Sequence, residues 1–275
     1  MQYTKFSLSC FILLFGIIQP AAQPAVRISK IEPPNWWAGM QWSEVQLMVY
    51  GEQLDGITAS FTDERIRVRA VHTLASPHYA FIDISIPADL PAGEYTLTLS
   101  RNGTETTATF PILARDTTPG RHQGFDSRDV VYLITPDRFA NGNIANDRQE
   151  LGDFDPTDPN KRHGGDLQGI MDHLDFLSDL GVTALWLNPV LENNGPVSYH
   201  GYAATDLYRI DPRFGANADY RKLVEEAHKR GLKVIFDHVN NHIGINHAWL
   251  SDLPAADWIN GTPTQHKNEK HYLLS

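Results

Sequence analysis

Apolar and polar positions alternate through the first part of the chain, and the period changes in the second. Val45, Leu47 and Val49, then Ile82, Ile84 and Ile86, then Tyr95, Leu97 and Leu99 fall on every second residue, as in strands with one buried face. Turn signals separate these runs: Pro91-Ala92-Gly93, and Asn102-Gly103, a pair that favours a tight hairpin. Residues 26–113 therefore read as several short strands without a helix, which points to an immunoglobulin-like β-sandwich. Residues 114–126, with Pro119, Gly120 and Gly124, read as a linker.

From residue 127 to 275 strands and helices alternate. Val130–Ile134 predicts a short buried strand, and Val182–Leu187 and Leu232–Phe236 predict two more. Between them, Ile170, Leu174 and Leu177 fall at helical spacing with Gly181 as a stop. Tyr220, Leu223, Val224 and Ala227 predict a helix from near Asn217 to Gly231. Successive βα units imply a parallel sheet with right-handed crossovers, either an α/β barrel or a doubly wound sheet. No glycine-rich phosphate loop follows the first strand, which argues against a dinucleotide fold. Polar clusters follow each strand's C-terminal end, where barrel enzymes place their chemistry. Beyond about His242 the periodicity is lost. Three strands cannot close an eight-stranded barrel, so the chain reads as truncated.

The first residues change the picture of where the protein works. Met1–Lys5 is positive, Phe6–Ile18 is apolar, and Gln19–Gln23 holds small residues suited to cleavage. Residues 1–22 thus read as a secretory signal peptide, too short in its apolar run to span a bilayer. The only cysteine, Cys10, lies inside it, so the exported protein has no disulfide, in keeping with a bacterial periplasm or exterior. With 23 basic and 33 acidic residues the net charge is −10, which disfavours nucleic acid and anionic membranes as partners. A hydrophobic share of 41% is enough for a sizeable core and excludes disorder.

Three segments carry candidate chemistry. Asn141, Asn143, Asn146 and Asp147 cluster around Gly142, and Gly164-Gly165-Asp166 follows later. Such oxygens suit a hard cation such as Ca²⁺, and they equally suit a solvated turn in which Asn and Asp bond their own backbone. Tyr199-His200-Gly201-Tyr202, with Asp206, offers ring faces and polar groups that suit a sugar, or a tyrosine packed on the sheet. Asp237, at the end of the third strand, is followed by His238, Asn240, Asn241 and His242 and reads as a binding site. His238, His242 and His247 lack the helical setting that a zinc site at this spacing needs. No nucleophile elbow is present.

Taken together, these segments resemble the α-amylase family of glycoside hydrolases (family 13), in its neopullulanase, cyclomaltodextrinase and maltogenic amylase branch. Asp237 to His242 resembles the family's signature at the end of strand three: an Asp, three variable residues, then Asn-His. Tyr199–Tyr202 and Thr205–Gly215 resemble the substrate-side segment after strand two. Asp137–Gly142 and Gly164–Gly169 resemble further family hallmarks, and Ile31–Met40 is similar to the opening of the branch's N-terminal sandwich. The resemblance implies a sandwich at 26–113 followed, over 127–275, by about three βα units of a TIM (β/α)8 barrel.

It further implies that Tyr202 stacks under a sugar, that His200 and His242 bond its hydroxyls, and that Asp237 is a structural or electrostatic carboxylate. Asn141, Asn143, Asn146, Asp147, Gly164 and Asp166 would form a structural calcium site, with Asn143 standing where relatives often carry Asp. The family's retaining machinery would lie beyond Ser275, so the chain holds no catalytic pair. Glu192 sits in a loop without a recognisable partner for such work, and Asp206 is not in a catalytic family position.

The implied activity is hydrolysis of α-1,4 glucosidic bonds in maltodextrin, cyclodextrin or pullulan. Transglycosylation by the same family and a non-catalytic glycan-binding module are the rivals. For the module, Trp36, Trp37 and Trp42 would be a stacking platform; in a homodimer formed through the N-terminal domain, Trp36 and Trp37 would be contacts.

Overall fold

The computed structural model describes residues 25–120, 124–147, 153–195 and 197–260. The segment read as a signal peptide lies outside the described residues, as does 261–275. The chain forms two compact units: one runs through Thr73 and resumes at Pro77–Leu113, and the other takes Leu74–Ser76 and everything from Ala114 onward.

The first unit is built of β1 (Arg27–Glu32), β2 (Trp36–Trp37), β3 (Glu44–Glu52), β4 (Thr58–Phe61), β5 (Arg67–Thr73), β6 (Tyr79–Ser85), β7 (Gly93–Arg101) and β8 (Thr104–Leu113). They form two four-stranded sheets, in the orders β1-β3-β6-β5 and β2-β8-β7-β4. All pairings are antiparallel except β2 with β8. The period-two positions face inward as expected: Val45, Leu47, Val49, Ile82, Ile84, Leu97 and Leu99 share one core with Phe110 and Ile112. Asn102 and Gly103, both at positive φ, close the β7–β8 hairpin, in the conformation that Asn-Gly adopts most readily. The outward positions are polar and wet. Asp83 there accepts from Gln46 Nε2 at 2.8 Å and lies 2.7 Å from His72 Nε2.

The second unit runs β9 (Val131–Ile134), a single 3-10 turn at Pro136–Arg138, α1 (Leu167–Asp172), α2 (Leu174–Asp179), β10 (Ala184–Leu187), α3 (Asn217–Lys229), β11 (Lys233–Phe236) and a short α4 (Ala248–Ser251). The three strands pair in parallel in the order β9-β10-β11. The helices cover one sheet face: Ile134, Leu185 and Leu187 pack with Ile170, Leu174, Leu177, Leu223 and Ala227 in a core of their own. On the opposite face Leu133 and Trp186, paired in register, stay 55% and 40% exposed.

Two expectations need correction. Strand β9 is buried only at Ile134: Val131, Tyr132 and Leu133 are exposed, because β9 is an edge strand and, among the described residues, one face of the sheet carries no helix. The helix expected through Ile170 and Leu177 is two short helices. His173, at φ −113°, breaks the winding, and its Nδ1 takes the Gly169 carbonyl at 2.7 Å. The apolar spacing survives the break, since Ile170, Leu174 and Leu177 are all fully buried.

Candidate functional site

Strands β10 and β11 end side by side, and the side chains beyond them converge. Asp237 directly follows β11. Its Oδ2 accepts from the Tyr202 hydroxyl at 2.8 Å and from Trp186 Nε1 at 3.0 Å. Tyr202 is brought there by the turn at Gly201, which sits at φ +81° with its Cα against the Pro189 carbonyl. A Cβ at this position would lie 1.9 Å from that oxygen, so only glycine lets the chain pass. The Tyr202 backbone N–H donates to His200 Nδ1 at 2.9 Å, and the two rings lie nearly parallel with centroids 6.0 Å apart. His242 Nε2 donates to the Tyr202 carbonyl at 2.7 Å, and its Nδ1 faces the Asn241 amide nitrogen at 3.1 Å. The four residues singled out here, His200, Tyr202, Asp237 and His242, are thus one hydrogen-bonded group. His242 meets the cluster through the Tyr202 backbone, with both its ring nitrogens within hydrogen-bond distance of protein groups.

The electrostatics of this group keep its protons in place. Burial, then the hydrogen bond to Asp237 and that carboxylate's charge, push the Tyr202 hydroxyl up to about 12, so it stays a donor through neutral pH. Burial, then the nearby Arg162 charge, lower the His200 pKa and favour its neutral form. Because Nδ1 accepts from a backbone N–H, the proton of neutral His200 is on Nε2.

The oxygen-rich loop after β9 folds onto the start of α1. The Asn141 amide nitrogen lies 3.0 and 2.9 Å from the two carboxylate oxygens of Asp147. Gly164 closes on the same spot: a Cβ on it would come within 2.6 Å of both side chains. The Asn146 Oδ1 is buried with no hydrogen-bond partner among the described residues, a costly state for an amide oxygen. An unfilled buried acceptor on the residue before Asp147, whose carboxylate Asn141 and Gly164 approach, is an oxygen-bearing set of the kind that suits a hard cation. Asn143 and Asp166 are used differently. Asn143 Oδ1 accepts from the Ala145 backbone. The fully buried Asp166 caps α1 through Gly169 N–H at 2.6 Å, and also takes donors from Gly142, Asn143 and Asn146. Its carboxylate is therefore saturated by N–H groups.

A third feature was not singled out by sequence. Arg162 and Arg213 are buried with Asp211, and Asp153 joins them at the edge. Burial works to raise the Asp211 pKa, but the Arg213 hydrogen bond and both guanidinium charges hold it below the usual range. Trp186 also escaped notice, because within an apolar strand a tryptophan reads as core. Its signal was its place one residue before the strand end. Glu192 is paired with Arg209 and with the Thr205 hydroxyl, so its carboxylate is already engaged. His238, His242 and His247 form no metal cluster, and among the described residues no group of three or more His, Cys, Asp or Glu side chains does so.

The second unit is thus an α/β fold, a parallel βα sheet with an aromatic–carboxylate cluster at its strand ends. Residues 133–273 match the alpha-amylase catalytic-domain family, and residues 30–116 match the cyclomaltodextrinase N-terminal family. The chain belongs to the alpha-amylase family. It is 44% identical over 119 residues to neopullulanase 2 of Thermoactinomyces vulgaris, covering 42% of this chain and 20% of that protein. It is 40% identical over 145 residues to a cyclomaltodextrinase of Geobacillus thermopakistaniensis, covering 52% of this chain and 23% of that protein. Among solved structures, an Anoxybacillus alpha-amylase aligns at 47% identity with a TM-score of 0.46, over 49% of this chain and 29% of that one. The chain thus spans less than a quarter of the length of the two sequence relatives.

Proposed function

We propose that this chain forms the first part of an exported α-glucan hydrolase of family 13 that cleaves α-1,4 glucosidic bonds with retention. The observation that carries this reading is the Tyr202–Asp237–Trp186 cluster at the ends of β10 and β11. A tyrosine ring held by its hydroxyl presents a face to a sugar ring, with the flanking His200 in its neutral form as a hydroxyl partner. Asp237 orients Tyr202 and Trp186, and His242 holds the Tyr202 backbone.

The exposed Leu133 and Trp186 face supports reading β9–β11 as the opening of a (β/α)8 barrel, whose further strands would cover it. The first unit is in this reading an immunoglobulin-like scaffold, residues 1–22 are a signal for export to a periplasm or exterior, and a homodimer through the sandwich is the expected assembly. The retaining reaction needs two carboxyl groups about 5–5.5 Å apart across the sugar, which later strands would supply. In the loop after β9, Asn141, Asn146, Asp147 and the Gly164 carbonyl would hold a structural Ca²⁺, which would supply charge compensation and rigidity.

The test is the product of the whole gene assayed on maltoheptaose, with proton NMR of the newly formed anomeric centre. Release of α-anomers supports the reading; β-anomers or no hydrolysis overturn it. For calcium, added Ca²⁺ is expected to raise the Tm of the parent chain but not of Asn146→Ala. An unchanged parent Tm removes the metal from the proposal.

A further inference from the structure

The buried charges lie under the one turn that presents the sugar-facing rings. Arg162 is 2% exposed and Asp211 not at all. Arg162 donates from Nη2 to Asp211 Oδ2 and to the Ser198 carbonyl, both at 3.1 Å, and from Nε to the Ser198 hydroxyl at 3.3 Å. Ser198 Oγ in turn donates to Asp153 at 3.1 Å. Arg213 grips the other side, donating to Asp211, to Asp153 and, at 2.8 Å, to the Asn193 carbonyl. Asn193 then adds a donor at 3.2 Å to the same Ser198 carbonyl.

That carbonyl also accepts from Gly201 N–H at 3.3 Å, which closes the turn leading to His200 and Tyr202. Three donors therefore meet on one oxygen, two of them held by a quartet whose charges cancel. Exposed ion pairs add little to a fold, whereas a buried set is retained at a desolvation cost and fixes geometry through its bonded atoms, here Nε and Nη2 of Arg162, with Nη1 unpartnered among the described residues.

We propose that Arg162, seated on Asp211, is the positioning residue of the sugar site: its planar fork fixes the Ser198 carbonyl and so sets the His200–Tyr202 pair against Asp237. The proposal rests on the glucan reading for its substrate, not for its geometry. It assigns Asp153, Asp211 and Arg213 the task of holding Arg162 rather than touching sugar. Lysine at position 162 would keep the charge but cannot reproduce the planar fork that reaches the Ser198 hydroxyl, the Ser198 carbonyl and Asp211 at once.

The test compares the full chain with Arg162→Lys, and with Arg230→Gln as a control. Arg230 pairs with Asp175 and Glu226 on the surface, away from the site. Hydrogen exchange of the Gly201 and Tyr202 amides is read by NMR, and maltotetraose affinity by calorimetry. Arg162→Lys is expected to lose about tenfold or more in both, as for a lost hydrogen bond to a charged group, while Arg230→Gln changes neither. Unchanged protection of both amides in Arg162→Lys overturns the proposal.

If the parent chain does not bind maltotetraose, the glucan reading fails and amide protection alone decides the positioning role. Should Arg162→Lys not fold, the neutral double variant Arg162→Gln/Asp211→Asn takes its place. A measurement on the parent needs no variant: the Arg162 Nε–H is expected as a resolved, slowly exchanging signal with a cross-peak to Ser198, and a fast-exchanging one overturns the proposal.

Discussion

The two units bury different things. In the sandwich, the inward positions are aliphatic and aromatic, while ion pairs such as Arg69–Glu44 and Arg27–Glu52 lie on its exposed faces. In the parallel-sheet unit, Asp137, Asp166, Asp211, Arg162 and Arg213 are buried, whereas buried polar atoms without a partner among the described residues occur in both units, Asn35 Nδ2 and Trp36 Nε1 in the first and Asn146 Oδ1 and Arg162 Nη1 in the second. Burying charged groups costs free energy that a scaffold has no reason to spend. The difference separates a unit whose sequence is explained by stability from one whose sequence also answers to a site. Asp137 illustrates the second kind: burial raises its pKa even though the His163 N–H, the Arg162 and Arg138 charges and the Gly164 N–H favour its charged form.

The comparison can be broken at several points. Leu97→Ala empties a fully buried position in the sandwich and is expected to cost about 2–5 kcal/mol in chemical unfolding, with sugar binding by the folded fraction unchanged. A loss of binding at full folding would show that the sandwich carries the site. Gly201→Ala in the other unit drives a Cβ into the Pro189 carbonyl and forces a left-handed residue, about 1–3 kcal/mol of strain. Here binding should fall with stability, and calorimetry on the variant reads both.

Tyr202→Phe keeps the ring and drops the bond to Asp237, so it should weaken maltotetraose binding by about 0.5–1.5 kcal/mol and leave the fold intact. The smallest effect sharpens the acid side. Asp129 is held at about 2, first by its hydrogen bond from Lys233, then by the Asp126 backbone and Thr183. A folded-state pKa below the unfolded one adds stability above about pH 4 that is lost as pH falls toward 2. Asp129→Asn should therefore flatten the acid limb of the unfolding curve and leave neutral binding alone.

Much of this was readable from residue order, and the rest was not, for physical reasons. The sandwich strands follow period two because each has one dry face, and Asn102-Gly103 marks its hairpin by backbone preference alone. Helix α3 ran from Asn217 to just before Gly231 as its spacing implied. Strand β9 misled because an apolar run looks the same whether its neighbours cover it or not. His173 broke a helix through a side-chain bond that no propensity encodes. The aromatic and carboxylate residues of the site stood out by type and by position after strands. The quartet beneath them did not, because Asp153, Arg162, Asp211 and Arg213 are scattered in sequence and acquire meaning only when folding buries them together.

The central claim is that the strand-end cluster, not the sandwich, meets the glucan. Nitrogen–proton shift mapping of the full chain, with maltotetraose and with cellotetraose, tests it most directly. The expected result is saturable movement of the Tyr202 and Asp237 amides and the Trp186 indole with maltotetraose, and none with cellotetraose. Movement confined to Trp36, Trp37 and Trp42, or equal movement with both sugars, would contradict it.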